Sequence, residues 1–287
     1  MTWFLFAFAT AFFESLRDVL NKYTLKNANE YAVALGLNGF SALFLLSLLP
    51  TAGIPIIGQQ FWLALGFGAS LNAIAYIIFI KAIKLSDLSK IAPLTTFTPL
   101  FLLITSPVLV GEFPNGKGLL GILLVVIGAY TLNIRQLHKG FFAPFQALWQ
   151  DRGAKFVLGV AFLWSLTSNF DKIGVQNSSP IFWAFANYSA ITVLIVPMAL
   201  YQRNARSRQG WNFSRTSILI GLCNAIAVAC QMNAMSLTLV AYTIAIKRTS
   251  AVFSVLFGHF LFKEKGLRER LVGAAIMVMG VVAIALS

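Results

Sequence analysis

The sequence predicts an all-α integral membrane protein of about ten transmembrane helices, arranged as two inverted-topology five-helix repeats. Three observations predict it. Of 287 residues, 58% are hydrophobic and only 11% charged. Ten apolar stretches have membrane-spanning length, and residues of the first half recur in the second at a nearly constant offset.

The composition excludes a soluble fold, because a soluble domain of this length carries far more charge on its surface. A mean hydropathy of +0.79 averages over every loop, so the intervening segments are almost wholly apolar. The net charge of +13 would suggest a nucleic-acid partner in a soluble protein. Here the basic residues sit in short breaks between apolar runs, as Lys263, Lys265, Arg268 and Arg270 do, and no basic stripe is left to carry such binding. Cys223 and Cys230 lie seven positions apart in one apolar run, roughly 10 Å along a helix and too far for a disulfide. His138 and His259 have no Cys or carboxylate at ligand spacing, so neither a metal nor another cofactor is expected. Met1-Thr2-Trp3-Phe4 lacks a basic leader and reads as the start of the first helix.

The apolar stretches fall at 2–20, 31–49, 61–80, 91–111, 116–134, 156–175, 180–201, 217–237, 240–262 and 268–286. Each approaches the roughly 20 residues needed to cross a bilayer core. Backbone groups in lipid must be satisfied within their own segment, so the stretches are read as helices. The tenth begins inside a charged loop. Gly140, Pro144 and Gly153 mark the longest connection, which divides a first repeat (1–136) from a second (156–287) through a cytoplasmic linker (137–155).

At an offset of 150, Phe12, Ser15, Leu16, Lys22 and Asn27 meet Phe162, Ser165, Leu166, Lys172 and Asn177, and Asn21 meets Asp171. At 152, Ala82, Leu85, Phe101, Leu109, Glu112, Gly121 and Gly128 meet Ala234, Leu237, Phe253, Leu261, Glu264, Gly273 and Gly280. Five crossings per repeat make equivalent helices run in opposite directions, an architecture that lets two related bundles rock around a central site. The loops after helices 1, 3, 5, 7 and 9 hold 17 Lys and Arg, against Lys117 and Lys172 on the other side. By the positive-inside rule those loops are cytoplasmic and both termini are not. A plasma (inner) membrane is the expected location.

The tandem halves, together with Phe162-Leu163-Trp164-Ser165-Leu166 and with Phe260-Leu261-Phe262-Lys263-Glu264 before a glycine-containing last helix, resemble the EamA family of the drug/metabolite transporter superfamily. The likeness runs over essentially the whole chain. It implies a ten-helix carrier with a central cavity, moving amino acids or other small metabolites, often outward. Many relatives carry basic N-terminal residues and read as termini-inside; the charges here read the other way.

Intramembrane ionisable residues are functional candidates by default. Lys247 stands eight residues beyond Leu239, roughly 12 Å into its helix, and Arg248 follows it. Two readings stand: a carboxylate or phosphate of the substrate binds there, for which the guanidinium fork is suited, or the two cations pair with internal acids. Their repeat counterparts are Thr95 and Thr96. The acids expected within the membrane are Glu14 and Asp18, which share a helix face with Arg17 at i, i+3 and i+4. Glu14 and Arg17 are candidates for the substrate site, and Glu14 and Asp18 for proton coupling; Arg17 and Asp18 also read as an interfacial cluster, and Glu14 equally as a fixed partner of Arg17 or Lys247.

Asn38, Asn72, Asn187, Asn224, Gln231 and Asn233 form a second tier. Each singly reads as an interhelical hydrogen bond, although Asn72 and Asn224 occupy equivalent positions and join the substrate-site candidates. Pro93 and Pro99 should bend helix 4 and make it a gate, whereas their counterparts Ala245 and Ala251 should not bend helix 9. Gly121 and Gly128, like Gly273 and Gly280, line one helix face, as in close helix packing or the seam of a homodimer. Residues 111–118 approach a phosphate-binding loop but end in Gly118, where Ser or Thr would hold Mg²⁺. Asn177-Ser178-Ser179 forms a glycosylation sequon.

The function expected is a secondary transporter exporting a small anionic or zwitterionic metabolite by alternating access, with the bilayer and a small molecule as partners. The alternative is a lipid-linked carrier flippase. A membrane-embedded enzyme comes last, because no cluster of catalytic residues stands near a membrane face, and no catalytic residue is assigned.

Overall fold

A computed structural model describes residues 2–24, 30–53, 55–85, 92–134, 151–205, 215–262 and 267–287. Lys26, Asn27, Lys90, Arg135, Lys139, Arg206, Arg208, Lys263, Glu264 and Lys265, with most of the expected linker, lie outside them. The described residues form helices α1 (Thr2–Thr24), α2 (Glu30–Ala52), α3 (Phe61–Leu85), α4 (Thr98–Leu109), α5 (Gly116–Ile134), α6 (Arg152–Gln176), α7 (Pro180–Ala205), α8 (Arg215–Leu237), α9 (Val240–Lys247), α10 (Ser250–Phe262) and α11 (Leu267–Ala285). A 3₁₀ helix, Ala92–Phe97, leads into α4.

Several helices outrun their apolar stretches: α3 reaches Leu85, and α6 starts at Arg152. Hydrogen bonding within a helix continues past the hydrocarbon boundary, and local capping sets the ends. Asp151 Oδ1 accepts from the Gly153 amide (2.8 Å) at the start of α6. Pro180 occupies the first position of α7 after Ser179, where a missing N–H costs nothing.

Helices α2, α3, α7 and α8 and the α9–α10 stretch contain spans long and apolar enough to cross a membrane; the helices Leu94–Leu109, Gly116–Leu132 and Leu271–Ala285 are shorter apolar ones. The first helix of each repeat, α1 and α6, is more polar, and both carry buried ionisable groups. Large apolar side chains face outward along the helices, among them Leu5, Trp62, Ile104, Val108 and Val193. Such an apolar exterior suits lipid and would be a liability in water.

The chain forms two compact units that do not follow the repeats. The first comprises residues 1–73 and 170–237, hence α1, α2, the start of α3, the end of α6, α7 and α8. Within it α1 lies along α8 and α2 along α7. Ala7 and Ala11 on α1 and Ala225 and Ala227 on α8 are fully or almost fully buried, and small residues let helix backbones approach closely. Thr10 of α1 lies in that seam, its hydroxyl 3.2 Å from the Ala227 carbonyl.

The second unit comprises residues 74–169 and 238–287. Its most extensive helix pair is α5 against α11, the last helix of each repeat. A Cβ on Gly121 would stand 2.7 Å from the Gly280 carbonyl oxygen, and one on Gly128 2.7 Å from that of Gly273. The glycine faces therefore serve close packing within the chain. Gly121 and Gly273 are repeat equivalents, as are Gly128 and Gly280, so each contact is the image of the other under exchange of repeats. Gly128 against Met277 and Gly280 against Val125 follow the same exchange. Pairing of this reciprocal kind is the signature of a two-fold relation, and the glycines pair in opposite order along the two helices. Inversion of the repeats is thus visible in side-chain registry.

Candidate functional site

The residues expected to carry function divide between the two units. In the first unit, Arg17 organises a cluster on α1. Its Nη2 lies 2.9 Å from Glu14 Oε1 and 2.7 Å from Asp18 Oδ1, and its Nη1 donates to Asn224 Oδ1 on α8 at 3.0 Å. Asn224 is fully buried and donates onward to Ser41 Oγ on α2 at 2.9 Å. Spacing at i, i+3 and i+4 puts the three charged groups on one helix face, and the close α1–α8 seam brings that face to Asn224. Glu14, placed by sequence against either Arg17 or Lys247, is paired with Arg17. Asp18 is half-exposed, so its ion pair is screened and weak; Glu14 is buried, and its pair is not. Asn72, the repeat counterpart of Asn224, is half-buried on α3 and makes none of these bonds among the described residues.

Beside this cluster lies an acid that the sequence reading did not place in the membrane. Asp171, near the end of α6, is 7% exposed. Its Oδ1 accepts from Trp183 Nε1 and Asn187 Nδ2 of α7, both at 2.9 Å. Trp183 is wholly buried, edge-on to Phe61 at 5.6 Å, and packs where a side chain on Gly174 would otherwise stand. The Tyr188 phenol adjoins Asn224 and feels the charges of Arg17, Asp171 and Glu14. Lys172, expected in an outer loop, belongs to α6; it is buried, and its Nζ donates to the Met235 carbonyl at 2.6 Å. Asn21, the counterpart of Asp171, was the available sequence signal: a polar position kept in both repeats.

In the second unit, the ninth span is interrupted. Helix α9 ends at Lys247 and α10 starts at Ser250. Between them the amide of Thr249 bonds Ile246 O (2.9 Å), that of Ala251 bonds Arg248 O (3.2 Å), and that of Val252 bonds Thr249 O (2.9 Å). These i to i−3 bonds are local 3₁₀ geometry. At the 152 offset, the 3₁₀ helix Ala92–Phe97 falls on Ile244–Thr249, and the start of α4 at Thr98 falls on the start of α10 at Ser250. Both repeats thus tighten at one register. Helix 9 was expected to run unbent because Ala245 and Ala251 replace the prolines; it breaks without them, so the irregularity belongs to the repeat, and Pro99 reinforces it in one copy.

Thr98 completes the geometry. Pro99 has no N–H to give the Thr95 carbonyl, and the Thr98 hydroxyl donates to that carbonyl instead (3.0 Å). The same hydroxyl accepts from Arg248 Nη2 at 2.9 Å. The guanidinium at the break of one repeat is thereby oriented by the hydroxyl at the equivalent break of the other. Lys247 is half-buried at the last position of α9. At the opposite end of α9, Glu112 Oε2 accepts from the Val240 amide at 2.9 Å, placing a carboxylate at the positive end of the helix. Asn115 Oδ1 caps α5 through the Gly118 amide (2.8 Å). Residues of the phosphate-loop look-alike thus cap helices.

A family model described as the EamA-like transporter family matches residues 1–134 and again 151–286. A search of curated proteins found no match. Among solved structures, one titled only "Crystal structure of protein" superposes with a TM-score of 0.76 at 16% identity, covering 98% of this chain and 96% of its own; at that identity the likeness speaks for the fold. With both repeats matched, the chain is a member of the EamA-like transporter family, within the drug/metabolite transporter superfamily.

Proposed function

We propose that the protein is a secondary transporter that moves a small anionic or zwitterionic metabolite, such as an amino acid, outward by alternating access, and that Lys247 and Arg248 contact the anionic group. The observation that carries this reading is Arg248 at the interruption of the ninth span, its guanidinium held by Thr98. Interrupted helices near mid-membrane are where inverted-repeat transporters bind cargo. A guanidinium in a span is costly and presents planar donors matched to a carboxylate or phosphate.

Purified protein in liposomes, tested with labelled amino acids and organic anions in turn, should give saturable flux. A charge-assisted hydrogen bond contributes about 1.5–3 kcal/mol. Arg248→Ala should therefore raise the half-saturating concentration roughly 10- to 100-fold, with Arg248→Lys intermediate. Flux that survives unchanged in both Lys247→Ala and Arg248→Ala would remove these residues from the site.

The reading includes placement in the plasma (inner) membrane with both termini outside the cytoplasm. It is supported by 17 Lys and Arg in or beside the connections on one side, against Lys117 and the buried Lys172 on the other. A reporter active only in the cytoplasm, fused after Ser287, should stay dark, while the same reporter inserted between Arg206 and Arg208 should be bright. The opposite pattern overturns the orientation.

A further inference from the structure

We propose that Glu112 is a positioning residue for the contact made by Lys247 and Arg248, seating the start of α9 and so fixing where the two cations at its end stand. The contact itself rests on the transporter reading above; the seat rests on geometry alone. The inference starts from the burial of α9. Residues 240–246 are all buried, so the amides of its first turn, which have no acceptor within the helix, must find one elsewhere in the protein. Leu239, the residue before the helix, has no side-chain group to offer them. Glu112, 128 positions earlier, supplies the acceptor: its Oε2 takes the Val240 amide at 2.9 Å. An anion there also meets the positive end of the helix.

The carboxylate is mounted on a stiff support. Just past α4, Gly111 takes φ +73°, a left-handed conformation open to glycine, and the Glu112 amide turns back to the Ser106 carbonyl at 3.4 Å. At the start of α5, Asn115 Oδ1 accepts from the Gly118 amide, and Asn115 Nδ2 donates to the Ser287 carbonyl at 3.0 Å. Gly118 leaves room for the first turn of α9, because a Cβ there would fall on the phenol of Tyr242, itself buried. Residues 111–118, the stretch resembling a phosphate-binding loop, thus form a saddle that grips α9 through Glu112 and Gly118.

The other end of α9 carries the cations. The helix has 8 residues, hence about 12 Å of length; Lys247 is its last residue and Arg248 its C-cap. Arg248 Nη2 is held by the Thr98 hydroxyl at 2.9 Å. Thr98 opens α4 and Glu112 follows its end, so the two supports of α9 are joined by α4, along which α9 packs. A helix this short is a rigid rod, and a shift of its start is a shift of Lys247 and Arg248. Thr98 orients one guanidinium, whereas Glu112 sets the whole rod.

Seat and positioning have separate tests. In lipid nanodiscs, hydrogen–deuterium exchange over residues 238–247 should be faster by roughly tenfold or more in Glu112→Ala than in the unmodified protein. Glu112→Gln, which keeps an acceptor oxygen without the charge, should fall between. Exchange unchanged in Glu112→Ala overturns the seat. In liposomes showing flux of a labelled amino acid, Glu112→Ala should raise the half-saturating concentration roughly 2- to 30-fold with maximal flux largely kept, and Glu112→Gln should again be intermediate. A merely structural role would instead lower maximal flux at an unchanged half-saturating concentration, and that result overturns the positioning. Added to Arg248→Ala, the same substitution should raise the half-saturating concentration by a smaller factor than it does alone, because part of what it positions is gone; an undiminished factor also overturns the proposal. Flux absent from the unmodified protein would count against the transporter reading, while exchange still decides whether Glu112 holds α9.

Discussion

Arg17→Ala should destabilise the folded protein by about 3–5 kcal/mol, the usual cost of leaving one partner of a buried ion pair behind. The estimate weighs two bonds differently. The pair with Asp18 is half-exposed and adds little. The pair with Glu14 is 11–17% exposed, and losing it strands a carboxylate between helices. The alanine also takes from Asn224 Oδ1 its donor on α1, at a wholly buried site. Arg17→Lys should recover part of the loss, because a point charge cannot reproduce a fork that reaches Glu14, Asp18 and Asn224 together. Adding Glu14→Gln to Arg17→Ala should restore stability relative to the single variant, with a coupling of about 1–3 kcal/mol in the double-mutant cycle. Thermal unfolding of the detergent-solubilised protein measures these three variants and Glu14→Gln alone, which completes the cycle. Strict additivity would show that the pair is not the unit of stability.

Gly128→Leu should be comparably damaging, by about 3 kcal/mol or more. The atoms a side chain would meet are the Met277 amide nitrogen and the Gly273 carbonyl, 2.6 and 2.7 Å from the Cβ position. Both are backbone and cannot swing aside, so α5 and α11 would have to part. A contrasting substitution isolates the effect. Gly159 on α6 has nothing within 4 Å of its Cβ position. Gly159→Ala should therefore be neutral or stabilising by up to about 1 kcal/mol, the helix-propensity difference between the two residues. Two glycine replacements in helices, one disruptive and one benign, would separate helix contact from helix propensity.

Much of this was legible in the sequence because it depends on local spacing. Lipid forces each apolar run of about 20 residues to be a helix, and the offsets of 150 and 152 announce the duplication. Glu14, Arg17 and Asp18 were readable as one face. Their partner Asn224 was not, since 207 residues separate it from Arg17 and only packing of α1 on α8 joins them. Asp171 was read only as the counterpart of Asn21, because proximity to the end of an apolar run says nothing about depth of burial. Trp183 and Asn187 on the next helix decide it. The break after Lys247 was hidden for a different reason: proline marks interruption in the first repeat but is absent from the second, and a register inherited by duplication can persist without the residue that advertises it. Thr98 carried no sequence signal of its own; Pro99 frees the Thr95 carbonyl that its hydroxyl occupies.

The reciprocal glycine contacts between α5 and α11 bear on how this seam holds. A surface that matches its own rotated copy could also join two separate five-helix chains lying in opposite directions in a bilayer. Such chains would have to find each other and would forfeit freedom of position and orientation on meeting. Joining the copies in one polypeptide makes the encounter intramolecular, at an effective concentration set by the connecting residues. The seam can then combine backbone against backbone at the glycines with Met277 and Val125 set directly onto them, the closest approach two helices can make.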